Sequence, residues 1–222
     1  MVSVIIVAAG KGKRFREKKQ FIEVKSKPII AYTINKFNEN KSVDEIIVVI
    51  GEKDKTRMKQ ILEKYNFNKV RKIVKGGERR IDSVYQGIRA CSNNTSVCLI
   101  HDGVRPNVSK RIIDEIIEKA HKNAVICGIM PRDTVKIIRN KNMYTLNRKL
   151  LILSQTPQGF PFKAFSTAIE KAVEKKRDFP DDAAIWEWFY NGEIDIVEGN
   201  IMNIKITYKE DMELEKCLLK LA

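Results

Sequence analysis

Between Gly10 and Gln20 the chain carries six cations, Lys11, Lys13, Arg14, Arg16, Lys18 and Lys19, set around two glycines, Gly10 and Gly12. Glycine lets the backbone turn sharply and bring its N–H groups against a ligand with no Cβ in the way. Cations just beyond add charge at the same spot, and the combination suits phosphate oxygens. The pairing recurs at Gly76-Gly77-Glu78-Arg79-Arg80. Only eleven glycines occur in the chain, and these two clusters hold four of them. A third polar knot, His101-Asp102-Gly103-Val104-Arg105-Pro106, joins a carboxylate to an arginine. Such residues can bind a polyphosphate and stabilise the charge that gathers when a phosphoryl group is transferred.

Three phosphate-loop designs compete for the first cluster. The Walker loop needs Lys-Ser or Lys-Thr after its last glycine, and neither is present. The dinucleotide fingerprint needs a third small residue, where this chain has Phe15. What remains is the nucleotidyltransferase pattern Ala-Ala-Gly-x-Gly-x-Arg followed by a lysine, or a tight turn with solvated cations.

Each cluster follows an element that can position it. Residues 2–7 are a short β-branched run that reads as a buried strand. Further strands are expected at 43–50, 70–74, 96–101, 124–130, 194–197 and 203–206. Helices are expected at 52–65, 81–90, 108–122, 161–174 and 182–190, with another opening near Pro28. Thr207-Tyr208-Lys209-Glu210 has the capping-box spacing for a last helix. Residues 134–148 alternate polar and apolar about a turn at 139–142, a β-hairpin. Strands and helices alternating along the chain predict an α/β fold in one domain over 1–222, with a β-arm at about 132–153. Both glycine clusters then lie at the carboxyl ends of strands, where ligands bind in open α/β sheets.

Composition narrows the alternatives. At 222 residues the chain suits one large domain. It has no apolar run of eighteen residues and no signal-peptide pattern, so no membrane partner and a cytoplasmic location are expected. Cys91, Cys98, Cys127 and Cys217 show no Cys-x-x-Cys spacing and read as reduced thiols. The only histidines are His101 and His121, too few for a His-based metal site. A net charge of +14 raises nucleic-acid binding, but the excess is mixed with acids along helices, as on solvated faces.

Taken in order, these motifs resemble the 2-C-methyl-D-erythritol 4-phosphate cytidylyltransferase family. The stretches concerned are Ala8-Ala9-Gly10-Lys11-Gly12-Lys13-Arg14-Phe15 with Lys19-Gln20-Phe21, then Gly76 to Val84 and His101 to Pro106. They continue through Pro131 to Lys136, Arg148, Thr156-Pro157-Gln158, Asp181-Asp182-Ala183, Glu198-Gly199 and Asn203 to Thr207. The resemblance implies a Rossmann-like, mostly parallel sheet flanked by helices, with the arm used for homodimerisation. It implies that the substrate phosphate attacks the α-phosphorus of CTP, with Arg14 and Lys19 stabilising the transition state. Mg²⁺, or another divalent cation, is expected to be held mainly by the CTP phosphates, with Asp102 a possible contributor and no other side-chain ligand.

By the same resemblance, nucleotide binding maps to Ala8, Ala9, Gly10, Gly12, Gly77, Glu78, Arg80 and Ser83. Binding of the alditol phosphate maps to Asp102, Arg105, Thr134, Arg148, Thr156 and Lys205. Without it, Arg80 reads equally as a helix cap or a partner of Glu78, and Asp181-Asp182 as a helix start. Trp186 and Trp188 read as packing residues. Two rival functions stay open: a ribitol 5-phosphate cytidylyltransferase, and an inactive basic RNA-binding protein of the same fold.

Overall fold

The computed structural model of the chain describes residues 1–10, 15 and 17–221. Seven strands form its main sheet: β1 (Val2–Val7), β2 (Glu45–Ile50), β3 (Val70–Lys75), β4 (Val97–Asp102), β5 (Ala124–Ile129), β6 (Leu153–Pro161) and β7 (Ile194–Glu198). Their order across the sheet is β7-β5-β6-β4-β1-β2-β3. All neighbours run parallel except β6, which is antiparallel to both β4 and β5.

The unbroken apolar runs of β1, β2 and β4 follow from helices covering both sheet faces. Strand side chains alternate between faces. Val4 and Ile6 therefore pack with α1 (Ile29–Asn38), α2 (Lys55–Tyr65) and α4 (Lys110–Ala120), through Ile34, Phe37, Met58, Ile112 and Ile116. Ile5 packs on the opposite face with α3 (Arg80–Ala90), α5 (Phe162–Glu174) and α6 (Asp182–Tyr190), through Val84, Ile88, Phe165, Ile169 and Trp186. Gly87 brings α3 close: a Cβ there would stand 2.4 Å from Cγ2 of Ile5. Trp186 is a core residue and Trp188 packs half-buried beside it, as expected.

Three expectations need correction. Strand β6 was unforeseen, because Pro157, Gly159 and Pro161 interrupt it and its buried positions include Gln155, Thr156 and Gln158. Pro157, which has no N–H to give, sits where the pairing with β5 shifts register, and the Thr156–Pro157 bond is cis. Residues 203–206 form no strand. Asn203 gives its carbonyl to Arg105 and its side chain to Thr156 O, so those groups join no ladder. The last helix, α7 (Lys209–Leu221), is capped by Asp211, whose carboxylate accepts the N–H groups of Thr207 and Tyr208, and not by Glu210.

The hairpin is present. Lys136–Arg139 pairs antiparallel with Asn142–Thr145 in a sheet of its own, turned through Asn140 and Lys141 at φ of 48° and 68°. Positive φ at both central residues is the two-residue turn that matches strand twist. Arg148 lies beyond the paired strands, in a short 3-10 turn, Arg148–Leu150.

Candidate active site

The sheet reverses its strand order between β1 and β4: the chain moves outward from β1 to β2 and β3, then returns to lay β4 on the other side. Such a switch point opens a crevice at the carboxyl ends of the strands. The register pairs Val7 with Asp102, so the Ala8-Ala9-Gly10 loop leaves the sheet beside that carboxylate. Gly103 allows the approach, since a Cβ there would stand 2.8 Å from that of Ala8.

The second glycine cluster closes against the first. A Cβ on Gly76 would lie 2.3 Å from the Ala9 Cβ. Gly77 N–H donates to Ser83 Oγ at 3.1 Å, and Gln20 Nε2 donates to Ala8 O at 2.9 Å. Ala9, Gly76, Gly77 and Ser83 thus meet where the two loops come together, beside Ala8 and Gly10, with Lys19 half-buried on the Lys19–Phe21 turn nearby. Glu78 is exposed. Gly12 and Arg14 lie outside the described residues.

A cavity of roughly 380 Å³ is lined by residues that include Arg80, Asp102, Arg105, Thr156, Asp181 and Lys205. Asp102 is 6% exposed and carries three cations. Lys205 Nζ is 3.0 Å and Arg105 Nε 3.3 Å from its Oδ2, while Arg80 is 3.8 Å from Oδ1. Arg80 also grips the buried Asp182 with two bonds, of 2.7 and 3.0 Å. It does not pair with Glu78. The capping box belongs to Arg79 and Asp82. Asp181 caps α6, accepting the Ala184 N–H, as the helix-start reading expects.

Against this geometry, the family model described as 2-C-methyl-D-erythritol 4-phosphate cytidylyltransferase matches residues 2–220. The chain belongs to that family. A Clostridium botulinum protein of that name is 44% identical over 223 residues, 98% of this chain and 97% of its own. One from Clostridioides difficile is 41% identical, covering all of this chain and 94% of its own. The crystal structure of 4-diphosphocytidyl-2C-methyl-D-erythritol synthase from Anaerococcus prevotii superposes with a TM-score of 0.89 at 35% identity, over 99% of this chain and 96% of that one. The chain is therefore a cytidylyltransferase, and its α/β sheet is the family's. Among the described residues no helix is long and apolar enough to cross a membrane.

Of the alditol-phosphate residues expected in this cytidylyltransferase, the cavity gathers Asp102, Arg105, Thr156 and Lys205. Thr134 and Arg148 are exposed and are not in its lining. Arg148 donates to the carbonyl of Arg132 within the arm. Sequence reasoning passed over Gln158 and Asn203 and read Asp182 only as a helix start, although all three stand inside the motifs quoted for the family. Gln158 uses all its bonding capacity: Nε2 donates to Ser154 Oγ and Asp181 Oδ2, and Oε1 accepts the N–H groups of Asp182 and Ala183. It fixes the start of α6, and with it the carboxylate that holds Arg80.

Electrostatics keep the cavity charged. Burial alone would raise Asp102, but Lys205, Arg80 and Arg105 outweigh it and hold the carboxyl well below the usual range. Burial likewise opposes the charge on Arg80, yet Asp182 and Asp102 raise its pKa.

Behind Asp102, fully buried His101 stays neutral. Its Nε2 faces Arg105 O at 3.0 Å, and a carbonyl only accepts, so Nε2 carries the proton. Nδ1 then accepts from Thr156 Oγ1 at 3.1 Å, and that hydroxyl accepts the Asp102 N–H.

Burial pushes His101 down to about 4, although its bond to Arg105 O and the charge of Asp102 oppose it. The unfolded chain binds this proton near its ordinary pKa of about 6.5. Neutral His101 therefore stabilises the fold fully above that value. The contribution, about 3 kcal/mol, is lost as pH falls toward 4. Urea unfolding at pH 7 and pH 4.5 should show this fall in the native protein and a shallower one in His101→Gln. Equal falls in both would assign the effect to another group.

Proposed function

We propose that the notch of Ala8, Ala9, Gly10, Gly77 and Ser83 seats CTP and that the cavity around Asp102 seats the second substrate. The chain transfers the CMP moiety of CTP to 2-C-methyl-D-erythritol 4-phosphate. A phosphate oxygen of that alditol bonds to the α-phosphorus, the bond from that phosphorus to the β-phosphate bridge breaks, and pyrophosphate leaves. The observation that carries the assignment of seats is the pairing of Val7 with Asp102, which makes the two compartments adjoin.

Backbone groups of the notch suit the cytosine edge, because the amino group that distinguishes it from uracil needs an acceptor. In the cavity, Asp102 accepts an alditol hydroxyl. Lys205, with a side chain 39% exposed and three donors, turns toward the phosphate. Arg105 is 8% exposed and already bonded to Asp102 and Asn203 O, so it holds the cavity wall in shape. Lys19 and Arg14 meet the charge that develops on the transferred phosphoryl group.

Asp102 does not suit a Mg²⁺ site, since three cationic side chains already crowd its oxygens. Mg²⁺ belongs instead on the CTP phosphates and enters with the nucleotide. The protein works in the cytoplasm without a nucleic-acid partner, as a homodimer joined through the arm. Supporting the dimer, Ile138, Met143, Tyr144 and Leu150 on and beside the hairpin are more than half exposed, and an isolated two-stranded hairpin is marginal in water.

The test is pyrophosphate release with each nucleotide and alditol phosphate. CTP with methylerythritol phosphate should turn over, a chelator should abolish it, and UTP should lose a few kcal/mol in kcat/KM. Equal rates with UTP would remove the cytosine assignment of the notch. Ribitol 5-phosphate as the better acceptor would overturn the proposed seating of methylerythritol phosphate.

A further inference from the structure

Lys19 lies on the connection between β1 and α1, whose only regular pieces among the described residues are the Lys19–Phe21 turn and the two-residue strands Glu23–Val24 and Lys27–Pro28. A cation that must meet a transition state within a fraction of an ångström needs its backbone fixed from outside. Both flanks of Lys19 are fixed by one rigid element, the entry to α2. On one side, Lys18 Nζ is 2.5 Å from Asp54 Oδ1. Asp54 is 8% exposed, and it is seated against Gly51, where a Cβ would stand 3.0 Å from Oδ2. On the other side, Arg57 donates from NH2 to Phe21 O at 3.2 Å, and its guanidinium lies 4.7 Å above the centre of the Phe21 ring. Asp54 and Arg57 are one helical turn apart. Their helix is anchored in the core by Met58 and Ile61, and it follows the end of β2 through the turn Glu52–Asp54.

We propose that Asp54 and Arg57 are positioning residues for Lys19: a clamp from α2 that holds the Lys19–Phe21 turn at the carboxyl edge of the sheet. Neither lines the substrate cavity. The clamp rests on the reading of Lys19 as a catalytic cation and adds how the fold aims it. It acts on the transition state, while the turn's own contact with the CTP seat runs through Gln20 to Ala8 O and not through Asp54 or Arg57. Loosening it should therefore lower kcat and leave KM unchanged.

The experiment is a double-mutant cycle in the full-length protein. Asp54→Asn and Arg57→Met should each lower kcat about tenfold, in keeping with the cost of small misplacements, with KM for both substrates within twofold of native. In a Lys19→Ala background the same changes should alter kcat by less than twofold. Asp54→Glu, which keeps the charge, should recover part of the loss. Lys18→Met cuts the ion pair from its exposed side, and it should reproduce Asp54→Asn if the latter folds poorly. Thermal melting accompanies each variant.

Equal losses in both backgrounds, with Lys19→Ala itself severely impaired, would overturn the clamp alone. So would a raised KM with native kcat. Native kcat in Lys19→Ala would overturn the role of Lys19, and the clamp with it.

Discussion

Replacing Lys19 with alanine should cut kcat by about 10²–10³-fold and leave CTP affinity within a few-fold of native. Losing one preorganised cation from a phosphoryl-transfer site costs roughly 3–4 kcal/mol of barrier, because charge on the equatorial oxygens grows as the reaction proceeds. On the proposed reading Mg²⁺ accompanies the CTP phosphates in the ground state, and the sequence places several other basic residues in this loop, so binding should depend little on one lysine. The same outcome is expected for Arg14→Ala. Steady-state turnover together with calorimetric binding of CTP separates the two effects. Native kcat with a raised KM would mean that these residues hold the nucleotide only before reaction.

Two inactive variants, Lys19→Ala and Arg148→Ala, should recover activity when their subunits exchange. Thr134 and Arg148 are absent from the cavity lining of their own chain, while the arm that carries them exposes apolar side chains on and beside its strands. If the arm acts across a two-fold interface, each heterodimer pairs one intact Lys19 with one intact arm in one of its two sites. Random exchange makes about half of the dimers mixed, so about a quarter of native activity should return. Were Arg148 to serve its own subunit, every site would keep one defect and no activity would appear.

Local rules read much of this fold from the chain. Strand β1 was legible because Val2 to Val7 is apolar at every position but Ser3, and only burial on both faces tolerates that. The helix α6 was legible from the acids at its start, and the hairpin from its period-2 alternation. The glycine clusters suggested phosphate chemistry by residue type and spacing, and their order with the later motifs carried the family.

What sequence could not supply lies in contacts between distant residues. Strand β6 is held by its neighbours on both sides, and pairing with β4 and β5 overrides the prolines that locally argue against a strand. Arg80 and Asp182 are 102 residues apart, and no periodicity links them. Lys205 in an alternating stretch reads as solvent-facing. It becomes a cavity residue only because the segment at 203–206 leaves regular structure, with Asn203 bound to Arg105 and Thr156. Residue types and spacing determined which groups could do phosphoryl chemistry, since those are properties of the covalent chain. Only tertiary structure decided which cations face the cavity, which stand behind it and what holds the Lys19–Phe21 turn. Burial and low dielectric turn a nearby opposite charge into a strong constraint, and burial exists only once the sheet has closed.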